Sequence, residues 1–318
     1  MSATQPAAEA EKNPLIGIVM KVCSVTLFVA MGTFIKLADG ASIGQIVFFR
    51  SAFAMVPIFL YLAATAHLRT AFQTDNLRGH VKRGVVGSTA MALGFFGLTQ
   101  LPLPDAIAIG YAMPLMTVVF GALLLGETVR MYRWSAVLVG LVGVIIISWP
   151  KLSVLTTPEG LSSGQALGAL GSLSAAIIAA YVMIIVRRLV KTERTPTIVL
   201  YFSLNSAIMG LFMALLGWPA MELMTIVWLV GSGIVGGIAQ ILLTESYRYA
   251  ETSVIAPFEY TSIITGIAVG YFVFADVPSG QTLLGAAIVV SAGIFIIFRE
   301  HRLGLERAGS RRAVPPQG

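Results

Sequence analysis

Apolar residues run along this chain in long blocks instead of alternating with polar ones. Ten of the blocks reach or approach the roughly 20 residues that a helix needs to cross a hydrocarbon core about 30 Å thick. They fall at 15–38, 44–64, 82–100, 105–125, 132–149, 162–186, 197–217, 223–247, 252–275 and 281–298, separated by short polar loops. The pattern predicts an all-α integral membrane protein of ten transmembrane helices with no soluble domain. The first block has no basic segment before it and is longer than a signal-peptide core, so it is expected to be a retained helix. Residues 1–14 and 300–318 are polar, the second rich in arginine and ending near a Pro-Pro pair, and both are expected to be disordered, solvated tails.

Composition agrees: 57% of the 318 residues are hydrophobic and 11% charged, far from the charged quarter of a soluble domain. The single cysteine, Cys23, cannot form an internal disulfide and lies in an apolar run, where a buried, inert thiol is expected. The isoelectric point near 9.6 suggests a nucleic-acid partner until the basic residues are located. With the amino terminus on the cytoplasmic side, 17 lysines and arginines fall in cytoplasmic segments and only Lys151 in a loop on the other face, while Lys21, Lys36 and Arg50 lie within spans. That asymmetry places both termini inside and makes the high isoelectric point a topology signal with affinity for anionic lipid, not for nucleic acid.

The halves resemble each other. LPLPDAIAIGYAMPLMTVVFGALLLGE leading into VLVGLVGVIIISWP is echoed by YRYAETSVIAPFEYTSIITGIAVGYFVFAD leading into AAIVVSAGIFIIF. Asp105 corresponds to Glu251, Pro114 falls within a turn of Pro257, Glu127 corresponds to Asp276 and Gly143 to Gly293. Five spans per half is odd, so residues 15–150 and 160–299 would cross the membrane in opposite senses, an inverted repeat with a site near the midplane. Pro114 and Pro257 lack the amide that would close the preceding turn, and act as kinks or as gating elements.

Several patterns mislead. GSGIVG at 231–236 matches a dinucleotide fingerprint, but it sits in the middle of an apolar span with no βαβ unit. Small residues there, at Gly233 and Gly237, at Gly266 and Gly270, and along Gly164, Gly168, Gly171, Ala175 and Ala179, suit close helix packing. There is no Walker A segment, GxSxG elbow or HExxH motif, and His67, His80 and His301 lie outside the spans, so no enzyme, cofactor or metal site is expected. Tyr111, Phe95, Phe96, Phe258 and Tyr260 are packing groups or a stacking surface. Gln100, Asn205 and Gln240 are helix-to-helix hydrogen bonders or ligand contacts.

Charges within spans cost about 2.5–3.5 kcal/mol each at a helix centre. Lys36 and Lys21 lie near span ends and are expected to snorkel to water as anchors. Arg50 lies about 9 Å deep at 1.5 Å per residue, within reach of Asp39 at the preceding turn. Glu259 lies about 10 Å deep from the opposite face, where a carboxylate could take up and release a coupled proton. Their repeat counterparts are Phe202 and Met113, so these charges break the symmetry, as a site for an asymmetric ligand or a coupling ion would.

GQIVFFRS opening the second span, GALLLGE closing the fourth, APFEY in the ninth, FADVP after it, and the glycines of the fifth and tenth resemble the drug/metabolite transporter superfamily, in its EamA-type branch, over residues 15–298. The resemblance implies two inverted five-helix repeats around a central cavity, alternating access without an ATPase, and a small-molecule substrate carried across the bacterial inner membrane. Relatives in this branch carry amino acids, riboflavin and S-adenosylmethionine. An arginine at the place of Arg50 is common among relatives of different substrates, which suits a structural or gating part as well as a substrate contact. Asp276 stands where the family usually has Glu. The expected pathway residues are Arg50, Glu259, Tyr260, Tyr111, Asn205 and Gln240, with Pro114 and Pro257 for gating. The alternative is a channel-like or lipid-moving membrane protein.

Overall fold

A computed structural model describes residues 14–65, 68–126, 129–153, 163–190, 192–193, 195–250 and 252–312. They form α1 (Pro14–Leu37), α2 (Ile43–Ala64), α3 (Leu77–Gln100), α4 (Leu103–Gly110), α5 (Ala112–Leu125), α6 (Met131–Leu152), α7 (Gly164–Leu189), α8 (Thr195–Phe212), α9 (Leu223–Tyr249), α10 (Thr252–Ile255), α11 (Thr261–Phe274) and α12 (Gly280–Arg312). A 3₁₀ turn, Ala256–Tyr260, joins α10 to α11. Glu127, Glu251 and His67 lie outside the described residues.

Local chemistry sets the boundaries. Ser42 and Gln45 form a capping box at the start of α2, the Ser42 amide donating to Gln45 Oε1 at 2.8 Å. Asn76 caps α3 by accepting from the Gly79 amide at 2.9 Å. α5 stops at Gly126 with φ 65° and α11 at Ala275 with φ 56°, each amide returning to a carbonyl five residues back, at Gly121 and Gly270. Two helical stretches are interrupted. The first breaks at Tyr111, where Pro114 offers no amide to the Gly110 carbonyl; the second passes through the Ala256–Tyr260 turn, where Pro257 offers none to Ser253.

Among the described residues, seven helical stretches are long and apolar enough to cross a membrane, taking α4 and α5 as one, and Pro196–Phe212 is a shorter apolar helix. α3 falls short because its first two turns carry Arg78, His80, Lys82 and Arg83, and the α10–α11 stretch because it is divided. Large apolar side chains such as Leu60, Leu123, Leu138, Leu223 and Phe272 face outward all round the bundle, as lipid-facing surfaces do. Cys23 lies on this outer surface, correcting the expectation of a buried thiol: neighbouring Lys21 and Ser24 turn inward and leave it on the opposite face. The last helix continues to Arg312, thirteen residues beyond the end of its apolar window at Arg299, so the expected tail is helical at least that far. Leu, Glu, Arg and Ala in LGLERAGSRR favour this.

The main packing pairs are α1 with α9, α3 with α7, α6 with α12, α2 with α8 and α9, α3 with α8, α5 with α7, α4 with α11 and α1 with α11. Glycine permits the closest approach. A Cβ at Gly237 would stand 2.6 Å from the Ala54 carbonyl oxygen, and one at Gly233 2.6 Å from Phe53 Cβ. Gly233 and Gly237 therefore line the seam between α9 and α2, while Gly231 and Gly236 of the GSGIVG stretch lie against Phe34 and Met31 of α1.

Candidate functional site

Two adjoining lobes open inside the bundle. The larger, about 410 Å³, lies among α2, α3, α7 and α8 and is lined by Arg50, Arg83, Phe95 and Phe202. The smaller, about 290 Å³, lies among α1, α4, α5 and the Ala256–Tyr260 turn and is lined by Tyr111, Pro114 and Glu259. Met31, Gly110 and Met113 line both, so the lobes meet at the break between α4 and α5.

Arg50 is 9% exposed, and its Nε has no hydrogen-bond partner. Among the described residues it pairs with neither Asp39 nor Glu259. Asp39 instead accepts from the Gly40 amide at 2.9 Å. Arg83, counted among loop cations from its place at the edge of the third span, turns into the same lobe. Its guanidinium stacks 3.5 Å from the Phe202 ring centroid, its Nε and Nη1 are buried without partners, and it feels the charge of Arg50. A sequence signal for this placement exists. Arg83, Gly87, Ala90, Met91 and Gly94 recur at helical spacing, and all of them line the lobe.

Glu259 is not the deeply buried carboxylate expected. Its side chain is 51% exposed into the smaller lobe and pairs at 3.3 Å with Lys21, which is 3% exposed. Lys21 is therefore a buried partner across the bundle, not a snorkelling anchor, because α1 turns it toward the 3₁₀ turn that carries Glu259. Tyr111 donates to the Glu259 carbonyl at 3.1 Å, touches the Ser262 hydroxyl and packs against Tyr260 with ring centroids 5.0 Å apart. Tyr260 reaches over Gly293, where any Cβ would collide with its hydroxyl. Pro114 and Tyr260 also border a third cavity of about 180 Å³. Pro257 sits in the turn itself.

Asn205 and Gln240 lie elsewhere. The Asn205 amide donates to the Tyr201 carbonyl at 2.8 Å and packs against Gly84, joining α8 to α3. Gln240 borders a small cleft of about 60 Å³ between α2, α8 and α9.

Ion pairs gather at the ends of the bundle. At the end bearing the loops with few basic residues, Lys36 pairs with Asp276 at 3.3 Å, donates to the Leu101 carbonyl at 2.6 Å and lies 5.2 Å from the Phe274 ring centroid. Asp276 also accepts from the Leu103 amide at 3.2 Å. Lys36 is thus a tie between α1, α4 and the end of α11, which corrects its reading as an anchor and gives Asp276 a contact. Beside it, Asp105 pairs with Lys151 at 2.8 Å and accepts from the Thr282 hydroxyl at 2.6 Å. At the basic end, Glu193 accepts from the Thr74 hydroxyl at 2.8 Å and from the Asp75 and Asn76 amides, with His80 Nε2 3.4 Å away. Burial alone would raise its pKa, but the hydrogen bonds from Thr74 and Asp75, with the His80 ring close by, outweigh burial and hold it below the usual carboxylate range. Arg188 donates there to the Leu124 carbonyl at 3.2 Å. Among the described residues, no cluster of three or more His, Cys, Asp or Glu is placed to hold a metal ion.

An apolar helical bundle with outward-facing hydrophobic side chains and an internal, part-charged cavity defines a multi-pass membrane protein built to admit a small solute. The comparisons narrow the class. Residues 15–149 match the EamA-like transporter family. The riboflavin transporter of Vibrio cholerae is 30% identical over 248 residues, 77% of this chain and 79% of the relative. The S-adenosylmethionine uptake transporter of Rickettsia prowazekii is 26% identical over 257 residues, 80% and 82% of the two chains, and the pseudopaline exporter of Pseudomonas aeruginosa 26% over 283 residues, 87% and 94%. A solved crystal structure superposes with a TM-score of 0.61 at 18% identity, over 90% of this chain and 98% of its own, which shows the shared fold. The chain belongs to the EamA-type branch of the drug/metabolite transporter superfamily.

Proposed function

We propose that the protein is a secondary transporter that carries a small organic metabolite across the bacterial inner membrane by alternating access, on ten spans arranged as two inverted repeats with both termini cytoplasmic. The observation that carries this reading is the two-lobed cavity between the halves, with one end of the bundle tied by the Lys36–Asp276 and Lys151–Asp105 pairs. The packing pairs support the repeat. Exchanging the halves turns α1–α9 into α7–α3, α2–α9 into α8–α3 and α5–α7 into α11–α1, and leaves α2–α8 and α6–α12 unchanged. The ties follow the same exchange. Lys36 at the end of α1 meets the end of α11, and Arg188 at the end of α7 meets the end of α5. Two equivalent ties at opposite ends are what alternating access needs, one releasing while the other holds.

The relatives named for riboflavin, S-adenosylmethionine and pseudopaline make vitamins, amino-acid derivatives and related metabolites the substrates to try first. In proteoliposomes, saturable uptake accelerated by unlabelled substrate on the far side is the expected result. Flux that is unsaturable and indifferent to substrate on the far side would replace this reading with a channel. A cysteine placed at Lys151 should react with an impermeant thiol reagent from the periplasm and one placed at Arg130 only after lysis; the reverse would overturn the orientation.

A further inference from the structure

We propose that the larger lobe is an anion site, in which Arg50 and Arg83 together hold the carboxylate or phosphoryl group of a small organic anion whose apolar body lies against Met91, Phe95 and Met113. The proposal rests on the transport reading above and names its substrate class.

Arginines kept inside a helical bundle for structure alone have their donors occupied by carboxylates or carbonyls. These two do not. Arg50 is nine-tenths buried with an unpartnered Nε, Arg83 has Nε and Nη1 buried and unpartnered, and among the described residues neither makes a hydrogen bond or an ion pair. No carboxylate lines the lobe. The one facing the adjoining lobe, Glu259, is opposed by Lys21 at 3.3 Å, so the two guanidinium charges are not offset from there. Two like charges facing one cavity repel, and a shared anion converts that repulsion into two sets of charge-assisted hydrogen bonds. Geometry is prepared for it. The Phe202 ring, its centroid 3.5 Å from Arg83 Cζ, holds that guanidinium in place, which leaves its fork of donors less freedom to lose on binding. A volume of about 410 Å³ admits a small metabolite, at the lower end of the range for ligand cavities. Apart from the arginines, the lining is chiefly methionine, alanine, glycine and phenylalanine, suited to an apolar or aromatic body.

The test uses the purified full chain in detergent and four probes of one shape: benzoate, phenyl phosphate, benzamide and benzylamine, at matched ionic strength. Ligand binding to the folded state raises the unfolding temperature. Benzoate or phenyl phosphate should raise it while benzamide and benzylamine do not, and whichever anion acts separates carboxylate from phosphoryl recognition. Arg50→Gln and Arg83→Gln should each weaken the anion response about 10- to 100-fold, whereas Lys82→Gln, an exposed cation of the same helix outside the lobe, leaves it unchanged. An equal response to benzoate and benzamide, a response to benzylamine alone, no response to either anion, or a full anion response in both arginine variants overturns the proposal. Should the glutamine variants fail to fold, the comparison of benzoate with benzamide on the unaltered chain still decides. Proteoliposomes separate the two readings. Saturable transport of neutral or cationic compounds with anions inert overturns the anion site and leaves the transporter standing; anion binding with no flux of any compound does the opposite.

Discussion

Replacing Asp276 by Asn tests whether the tie at the end of α11 governs opening of that end. The substitution keeps an oxygen that can accept from the Leu103 amide and removes only the charge facing Lys36, whose hydrogen bond to the Leu101 carbonyl is untouched. At 3.3 Å and an effective dielectric near 20 the Coulomb attraction is about 5 kcal/mol before desolvation. Fully exposed pairs retain about 0.2–1 kcal/mol of such energy, and breaking a buried pair costs about 3–5. The Lys36 and Asp276 side chains are 17% and 22% exposed, so a net loss of about 1–2 kcal/mol is expected, a shift of about 5- to 30-fold in an opening equilibrium. Hydrogen exchange read by mass spectrometry measures that equilibrium where closing outpaces exchange. Peptides covering 98–106 and 275–284 should exchange about 5- to 30-fold faster in Asp276→Asn, with the 72–80 region at the basic end unchanged, and Asp276→Glu should restore most of the protection. Unchanged exchange at 98–106, or equal acceleration everywhere, would refute the local tie.

Glu259→Gln should slow transport, because it removes the charge facing the buried Lys21 ammonium 3.3 Å away; a rate equal to that of the natural chain would show that this pair plays no part in the cycle. Glu193 has a lowered pKa in the folded protein, so the stability it contributes is complete above its unfolded value near 4.5 and is lost as pH falls through the lower folded value. The difference in unfolding temperature between the natural chain and Glu193→Gln should accordingly be constant down to about that pH and shrink below it. Ala275→Gly should stabilise by about 0.5–1 kcal/mol, since Ala275 holds a left-handed φ of 56° where the end of α5 has a glycine, Gly126, at 65°; a fall in unfolding temperature would refute strain there. Gly237→Ala should cost about 1–3 kcal/mol, because the added Cβ meets the Ala54 backbone carbonyl, which cannot turn aside.

The apolar blocks marked the helices closely, since a block long enough to span a membrane leaves the backbone no other way to satisfy its amides. Their ends were less legible. α3 begins at Leu77, five residues before its apolar block, because Asn76 supplies a cap that hydropathy does not register. Pairings of charge were the least legible. Lys21, Lys36 and Arg83 sit where depth along a helix allows either escape to water or a turn inward. Depth says nothing of rotation about the helix axis, and rotation decided all three. The face shared by Arg83 and its small-residue neighbours carries that rotational information, whereas counting arginines by loop discards it.

The proposed repeat and the cavity bear on each other. Arg50 and its counterpart Phe202 both line the larger lobe, although they come from opposite halves. Glu259 and its counterpart Met113 both line the smaller one. On the proposed repeat, a cavity lined by both members of a related pair straddles the pseudo-twofold axis, which is where rocking halves would expose it alternately. Within this symmetric frame one member of each pair is charged and the other apolar. In the proposed repeat the charges of the lining do not follow the scaffold, and the lobe holding Arg50 and Arg83 is the one whose charge no carboxylate of its own lining offsets. That imbalance is the cavity's strongest chemical preference, and it is satisfied by a ligand that brings a negative charge.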